Sequence, residues 1–184
     1  MKPMLSPTRP RRSAPVRDLG EVEYSVIRPD ELSSVVDMEH VNLSLLYMRS
    51  KFLVIARIDR EFVGVCGIRG MMNTISAEIR EKFQGQGIGN ELMTRVIDIA
   101  RKRGEKFILG AAYLTNYRSL KLTEKFGFIN LFVFTGSEVN EMFEILPLSR
   151  AGWFSAILLS PLRKANPRAL GLLYSLIQRL VSRT

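Results

Sequence analysis

The chain has 184 residues, of which 46% are hydrophobic and 24% charged, a composition ordinary for one soluble domain with its own core. A single cysteine, Cys66, excludes an internal disulfide and a four-cysteine zinc site, and a single histidine, His40, excludes a histidine metal cluster. The sequence holds no run of 18 uninterrupted apolar residues, so we predict no membrane-spanning helix. No metal is expected.

The net charge of +9 is concentrated in the two ends of the chain. Residues 1–20 carry +4, residues 21–148 carry −1, and residues 149–184 carry +6. Because the body is nearly neutral, nucleic acid is an unfavoured partner, and any contact with a polyanion would come from the ends. Prolines and scattered arginines make residues 1–20 a predicted flexible basic arm, with an organelle transit peptide as the less favoured interpretation.

Residues 21–148 alternate strand and helix patterns. A first strand, 22–27, precedes a broken helical region that begins at Pro29 or Asp30 and reaches Leu46. The next predicted elements are strands 52–58 and 62–68 around an Asp59-Arg60 turn, strand 75–79, helix 90–103, strand 107–113, helix 116–125, and a hairpin of 130–134 with 141–146 around Gly136-Ser137. This order predicts an α/β domain with a mixed, mostly antiparallel sheet. Cys66, inside an apolar strand, is predicted to be a buried structural thiol.

A glycine-rich segment precedes the long helix. Residues 83–92 read Phe-Gln-Gly-Gln-Gly-Ile-Gly-Asn-Glu-Leu, with glycine at positions 85, 87 and 89. Such a turn directs free N–H groups and the positive end of a helix dipole at one point, which favours an anion such as a phosphate. Asn90 and Glu91 replace the Lys-Ser/Thr of a P-loop, and the glycine spacing does not fit a dinucleotide-binding fingerprint. A plain structural turn remains the alternative.

Two motifs resemble those of the GNAT superfamily of N-acetyltransferases. Residues 84–89, Gln-Gly-Gln-Gly-Ile-Gly, match the family's Gln/Arg-x-x-Gly-x-Gly/Ala acyl-CoA pyrophosphate loop. Residues 116–119, Asn-Tyr-Arg-Ser, and 122–128, Leu-Thr-Glu-Lys-Phe-Gly-Phe, resemble the second motif, Asn-x-x-Ala-x-x-Leu-Tyr-x-Lys-x-Gly-Phe. Both lie in the family's order, and the resemblance covers about residues 22–148.

The resemblance implies a fold and a cofactor. It implies a GNAT-like sheet of six to seven strands with helices on both faces, in which the strands before and after the glycine loop and its helix splay apart to admit acetyl-CoA. The backbone of the first of these strands would pair with the pantetheine arm, the glycine loop would hold the pyrophosphate, and the second motif would contact the arm. The cofactor-binding residues so implied are Ile79, Arg80, Glu81, Gln84, Gly85, Gln86, Gly87, Ile88, Gly89, Asn90, Asn116 and Ser119. Asn116 serves equally well as a helix cap.

Catalytic residues are less strongly indicated. Glu78, near the end of the strand that would line the reaction centre, is the candidate base for the attacking amine, with a solvent-facing glutamate as the alternative and Glu81 as a weaker rival. Thr123 stands where the family often has a tyrosine acting as general acid. A threonine hydroxyl is a far weaker acid than a phenol, so water or another residue would protonate the thiolate, or acid catalysis is unimportant. Tyr117 is a candidate proton donor, although packing suits it and Tyr113 better.

The last 36 residues lie outside the resemblance. Residues 149–159 are apolar and end before Pro161, and Asn166-Pro167 predicts the start of a helix over 168–182 with a wide apolar face. That face would dock on the body or on a second copy, with contact to an anionic membrane surface as the alternative.

The sequence therefore predicts three segments and a function. Residues 1–20 form the basic arm, 21–148 an N-acetyltransferase domain, and 149–184 a basic amphipathic helical extension. The predicted activity is direct transfer of an acetyl group from acetyl-CoA to a primary amine of a small molecule or peptide, in the cytoplasm or at the membrane periphery. A non-catalytic acyl-CoA-binding module is the alternative function. The acceptor, the acyl-chain preference and the oligomeric state remain open.

Overall fold

The computed structural model describes residues 20–35, 49–135, 140–166 and 169–176. Its strands are β1 (Val22–Ile27), β2 (Ser50–Ile58), β3 (Glu61–Arg69), β4 (Thr74–Ile79), β5 (Phe107–Tyr113), β6 (Ile129–Thr135) and β7 (Asn140–Pro147). Its α-helices are α1 (Leu32–Val35), α2 (Ile88–Lys102), α3 (Tyr117–Lys125), α4 (Arg150–Leu159) and α5 (169–176), with 3-10 turns at Pro29–Glu31, Glu81–Phe83 and Ser160–Lys164. His40, most of the predicted broken helical region and the Gly136-Ser137 turn lie outside the described residues.

The strands form one seven-stranded sheet in the order β1-β2-β3-β4-β5-β7-β6. Every neighbouring pair is antiparallel except β4 and β5, which are parallel. The β2–β3 hairpin turns through Asp59 and Arg60, which have φ of 50° and 69°, the left-handed pair that suits a two-residue hairpin loop. The predicted mixed, mostly antiparallel α/β sheet is thus confirmed.

Helices cover both faces of the sheet, so its strands are buried on both sides. Phe52 and Val54 of β2 face a core that α2 completes with Leu92 and Val96. The alternate residue Leu53 faces the opposite side, where it packs with Leu32 of α1. Cys66 lies in the α2-side core, and burial raises the pKa of its thiol to about 12, in agreement with the predicted structural role.

The C-terminal segment packs on the face of β5, β6 and β7 opposite α2. Ser149 caps α4 by accepting a hydrogen bond from the Gly152 N–H at 3.2 Å, and Gly152 lies so near the Lys106 carbonyl that a Cβ there would come within 2.0 Å of its oxygen. In α5, Leu170 is buried and the Tyr174 ring stacks on that of Phe134, with centroids 4.1 Å apart. The inner sides of both helices are therefore fixed to the body.

The sheet divides between β4 and β5. Thr74 and Leu109 are the one residue pair that joins these strands in the described chain, whereas β3 pairs with β4 over six positions, from Gly64–Ile79 to Arg69–Thr74. Beyond this point the two strands diverge toward their carboxyl ends. The predicted splay is present, and we refer to it as the fork.

A polar cluster holds the closed end of the fork. The buried Asn73, which adopts φ of 52°, accepts a hydrogen bond from Leu109 N–H at its carbonyl, 3.1 Å. Its side-chain amide donates to the Phe107 carbonyl at 3.1 Å and to Glu105 Oε2 at 2.8 Å, and its Oδ1 accepts from Lys51 Nζ at 2.6 Å. One side chain thus ties the turn before β4 to the start of β5.

Candidate active site

The glycine-rich turn lies at the open end of the fork. Gly85 and Gly87 have φ of 81° and 85°, which residues with a Cβ adopt only with strain, and Gly87 is the N-cap of α2. At Gly89 a Cβ would lie 3.1 Å from the Ile79 side chain of β4, so glycine there permits close packing of helix on strand. The predicted helix start at Asn90 moves forward to Ile88, because the turn itself closes the first helical bonds, from Asn90 N–H and Glu91 N–H to the Gly87 carbonyl.

The N–H groups of this turn are available to a ligand. Within the described chain, no hydrogen bond runs from the N–H groups of residues 85–89 to another protein group. These donors adjoin the N-terminus of the 15-residue α2, whose dipole adds positive potential. These donors are therefore suited to hold an anion, and the predicted anion site remains a candidate.

Basic side chains of α3 border this anion site. Arg118 donates to Gln84 Oε1 at 2.5 Å, and Lys125 donates to Asn90 Oδ1 at 2.8 Å, so α3 is bonded to both ends of the turn. Lys121 lines the same cleft. Sequence reasoning missed these three residues, although their spacing places them on one helix face and could have indicated a cationic wall.

A cleft of about 610 Å³ extends from the turn along β4 to the start of α3. The predicted site residues that line it are Glu78, Ile79, Gln84, Gly85, Gly87, Gly89, Asn90, Asn116 and Ser119. Asn116 also caps α3, accepting the Ser119 N–H at 3.1 Å, so its capping role is present, and its contact with the cofactor remains a prediction. The structure thus brings both predicted motifs to one cavity.

A second cleft of about 860 Å³ shares Glu78, Ile79 and Gln84 with the first. Its other lining side chains are charged, and in it Glu61 Oε1 pairs with Arg80 at 2.8 Å and with Lys82 at 2.5 Å. The predicted cofactor residues Arg80 and Glu81 line this second cleft instead of the first. Gln86 and Ile88 line neither: the Gln86 amide donates to the Lys82 carbonyl at 3.2 Å, and the Ile88 side chain is buried.

Glu78 stands where the two clefts meet. Glu78 is paired with Val65 of β3 and is exposed to solvent at the cleft walls. Partial burial of the carboxyl raises its pKa above the usual glutamate value. A carboxylate with a raised pKa, open to both cavities, can accept a proton from a bound group.

The other two catalytic candidates lie outside both clefts. Tyr117 is 72% exposed at the start of α3. Thr123 is buried, and its hydroxyl donates to the Leu120 carbonyl at 3.0 Å. Their catalytic roles remain predictions.

A buried glutamate that sequence reasoning missed lies beside Thr123. Glu144 of β7 is 3% exposed, its Oε2 has no hydrogen-bond partner in the described chain, and it stands opposite Gly110 of β5. Burial raises the pKa of its carboxyl, the polar Thr123 side chain beside it lowers that pKa, and the charge of Glu124 raises it further. Only the strand register, which the sequence does not contain, brings Glu144 under α3.

Similarity to solved structures agrees with this fold. The YncA protein of Salmonella typhimurium, solved with its cofactor acetyl-CoA, aligns with a TM-score of 0.57 at 16% identity over 71% of this chain and 96% of that one. An N-acetyltransferase from Staphylococcus aureus Mu50 aligns with a TM-score of 0.57 at 14% identity, over 71% and 100%. The ribosomal-protein-S18-alanine N-acetyltransferase of Escherichia coli aligns with a TM-score of 0.54 at 15% identity, over 70% and 95%.

Sequence comparison identifies the family. A search of curated proteins gave no match. The family model described as Acetyltransferase (GNAT) family matches residues 15–128, which is more than half of the chain and includes both motifs. The predicted resemblance is confirmed, and acyl transfer is supported as the class of reaction. The chain belongs to the GNAT family of acetyltransferases.

Proposed function

We propose that the protein is an acetyl-CoA-dependent N-acetyltransferase that acts on a primary amine by direct attack in a ternary complex. The observation that carries this proposal is the fork, which opens between β4 and β5 beside a turn with free N–H groups. One end of the cleft can hold a pyrophosphate, and its other end reaches Glu78.

The proposed cofactor position follows from charge and backbone availability. The N–H groups of residues 85–89 would hold the pyrophosphate, because they adjoin the α2 N-terminus and lack protein acceptors. Arg118 and Lys121 line the cleft and would add positive charge for phosphate groups. The edge of β4 beyond Thr74, unpaired with β5, would bond the amides of the pantetheine arm as an added strand.

The proposed reaction forms one bond and breaks one. The uncharged amine nitrogen attacks the thioester carbonyl carbon, the C–N bond forms, and collapse of the tetrahedral intermediate breaks the C–S bond. Glu78 takes the proton that the amine loses, directly or through one water, and its raised pKa suits this task. The thiolate takes a proton from water, because Thr123 is buried and donates to a backbone carbonyl. The second cleft, which Glu78 borders, would receive the acceptor amine.

Because Thr123 is buried, a second candidate function is a non-catalytic acyl-CoA-binding module. The two functions differ in whether bound acetyl-CoA reacts. Thermal unfolding with acetyl-CoA or CoA tests binding, and thiol release across a panel of small amines and peptides tests transfer. A thermal shift with no release for any amine would favour the binding module, and no shift with millimolar CoA would refute both.

Glu78→Gln tests the base. We expect turnover to fall by about 10²-fold or more while the acetyl-CoA thermal shift is retained, since general-base catalysis contributes roughly that much. Glu23→Gln is the matched control, because Glu23 is an exposed glutamate in β1 that is paired with Arg57 and lines neither cleft. Equal activity of both variants and the wild type would remove Glu78 from the mechanism.

A further inference from the structure

The C-terminal helices present an apolar surface to solvent, which we name the outer patch. It consists of large hydrophobic side chains that are 54–76% exposed: Trp153, Phe154, Ile157, Leu158, Leu172 and Leu176. In α4 the first four fall at positions i, i+1, i+4 and i+5, which is one side of a helix. In α5 the other two are separated by one turn. A monomeric soluble protein seldom exposes so many large apolar side chains on adjoining elements.

The outer patch is not the docking face of an undocked segment. Docking uses other residues: Gly152 and Ala156 of α4, and Leu170 and Tyr174 of α5, which pack on the sheet. The helices are thus already held on the body, with their second apolar side turned outward. Burial in the core accounts for the inner side only.

The charge of this region is of one sign. Residues 149–184 contain six basic and no acidic side chains. Among the described ones, Arg150 and Lys164 are exposed at the two ends of the α4 segment, and the exposed Lys106 adjoins its N-terminus through its carbonyl, which accepts from the Leu148 N–H at 3.0 Å. An apolar surface bordered by cations fits a partner that has an apolar interior for the hydrophobic side chains and anionic groups at its surface for the basic ones.

We propose that the outer patch binds the surface of an anionic lipid bilayer, with α4 and α5 lying in the plane of the headgroups. Trp, Phe, Leu and Ile would enter the boundary of the acyl chains, and the basic side chains would meet lipid phosphates. A second copy of this chain fits less well, because a two-fold contact would set the same exposed basic side chains, Lys106, Arg150 and Lys164, against themselves. Within the described residues, no helix is long and apolar enough to cross a bilayer.

The test uses Trp153, the single tryptophan of the chain, as its own reporter. Full-length protein is titrated with vesicles of phosphatidylcholine alone or with a quarter phosphatidylglycerol, at low and high salt, while tryptophan emission and co-sedimentation are recorded. We expect a blue shift and sedimentation with the anionic vesicles, weakened at least tenfold by 0.5 M salt. Absence of both with anionic vesicles would overturn the proposal, as would equal binding to the neutral vesicles at both salts.

Two variants separate the apolar contribution from the charge contribution. Phe154→Ser keeps the reporter and removes an exposed anchor, so we expect at least a tenfold loss of vesicle binding. Arg150→Gln with Lys164→Gln should lower binding to anionic vesicles by roughly fivefold per charge. Val26→Ser is the matched control, because Val26 is 57% exposed on β1, at the sheet edge away from the C-terminal helices.

The competing occupant is a second copy, and it gives a different result. Sedimentation equilibrium without lipid should show a monomer for the wild type. A concentration-dependent dimer that Phe154→Ser abolishes would assign the outer patch to self-association and overturn the lipid proposal.

Discussion

Gly87→Ala separates the strain of the glycine turn from its role in ligand binding. Gly87 has φ of 85°, and beyond the local backbone no heavy atom lies within 4 Å of the position a Cβ would take, so alanine meets no steric clash with the rest of the protein. What it meets is the left-handed backbone conformation, which costs an alanine about 1–2 kcal/mol. A kilocalorie lowers the Tm of a protein of this size by roughly 2–4 °C. The unliganded variant should therefore unfold roughly 2–8 °C below the wild type.

The effect on the ligand should be larger in proportion. Acetyl-CoA at 100 times its Kd should stabilise the wild type by about 2.7 kcal/mol. The Gly87 position lines the cleft, so a methyl group there, or a backbone shift that relieves its φ, would displace N–H groups from the phosphate. A tenfold weaker Kd at the same ligand concentration leaves only about 1.4 kcal/mol, half of the shift. We expect at least this loss.

The chain supplies a matched control at the other end of α2. Gly104 has φ of 74°, beyond the local backbone no heavy atom lies within 4 Å of the position a Cβ would take, and it does not line the cleft. Gly104→Ala should lower the Tm of the free protein by a similar amount and keep the full acetyl-CoA shift. Differential scanning fluorimetry with a titration of acetyl-CoA measures both quantities. If Gly87→Ala keeps the wild-type shift, the turn does not hold the pyrophosphate and the reasoning fails.

Three further predictions concern the scaffold of the site. Asn73→Ala removes the side-chain hydrogen bonds at the closed end of the fork and should lower the free energy of unfolding, measured in urea, by about 2–4 kcal/mol. Asn73→Gly also relieves the backbone at φ 52° and should recover only part of that loss. Burial raises the pKa of Glu144 above its unfolded value, so its stabilising contribution is present below the unfolded pKa and is lost as pH rises through the folded pKa. Glu144→Gln should therefore raise the Tm more at pH 8 than at pH 4.5. An equal change of Tm at both pH values would refute this. Cys66, with its pKa at about 12 and no exposed surface, should resist iodoacetamide at pH 8 until urea unfolds the protein.

The fold was largely predictable because its strands and helices carry clear local patterns. Predicted strand 107–113 matches β5 to the residue, and predicted strand 75–79 differs from β4 by one residue. The turn chemistry was also readable, since Gly127 ends α3 with φ of 81°. The 3-10 turn Glu81–Phe83 was missed, because three residues carry no periodicity.

The site was predictable where it is local in sequence and unpredictable where it depends on packing. The glycine turn and Asn116 occupy one cleft, because each motif places its residues at an element terminus. Arg80 and Glu81 were assigned to the cofactor through their backbone, by their position after β4; both residues line the second cleft, and the backbone contact remains a prediction. Arg80 follows the last residue of β4 and Glu81 begins a 3-10 turn, so position after the strand does not decide which cavity either residue faces.

The Thr123 position shows how far a motif can be carried from one chain to another. Read alone, threonine in place of tyrosine is a lost acid, and the buried hydroxyl, bonded to the Leu120 carbonyl, agrees with that interpretation. The strand register adds that Glu144 lies against the same hydroxyl, on the α2 face of the sheet, with one carboxyl oxygen unpartnered. Burial below the open fork makes the Glu144 carboxyl costly to ionise, which makes the region sensitive to pH independently of Glu78. If Glu78→Gln lowers turnover and flattens the pH profile of the remaining activity, while Glu144→Gln alters Tm alone, the site titrates through one carboxyl. If Glu144→Gln also displaces the pH profile of the reaction, Glu144 is a second titrating group, beside the position where Thr123 replaces the family's tyrosine.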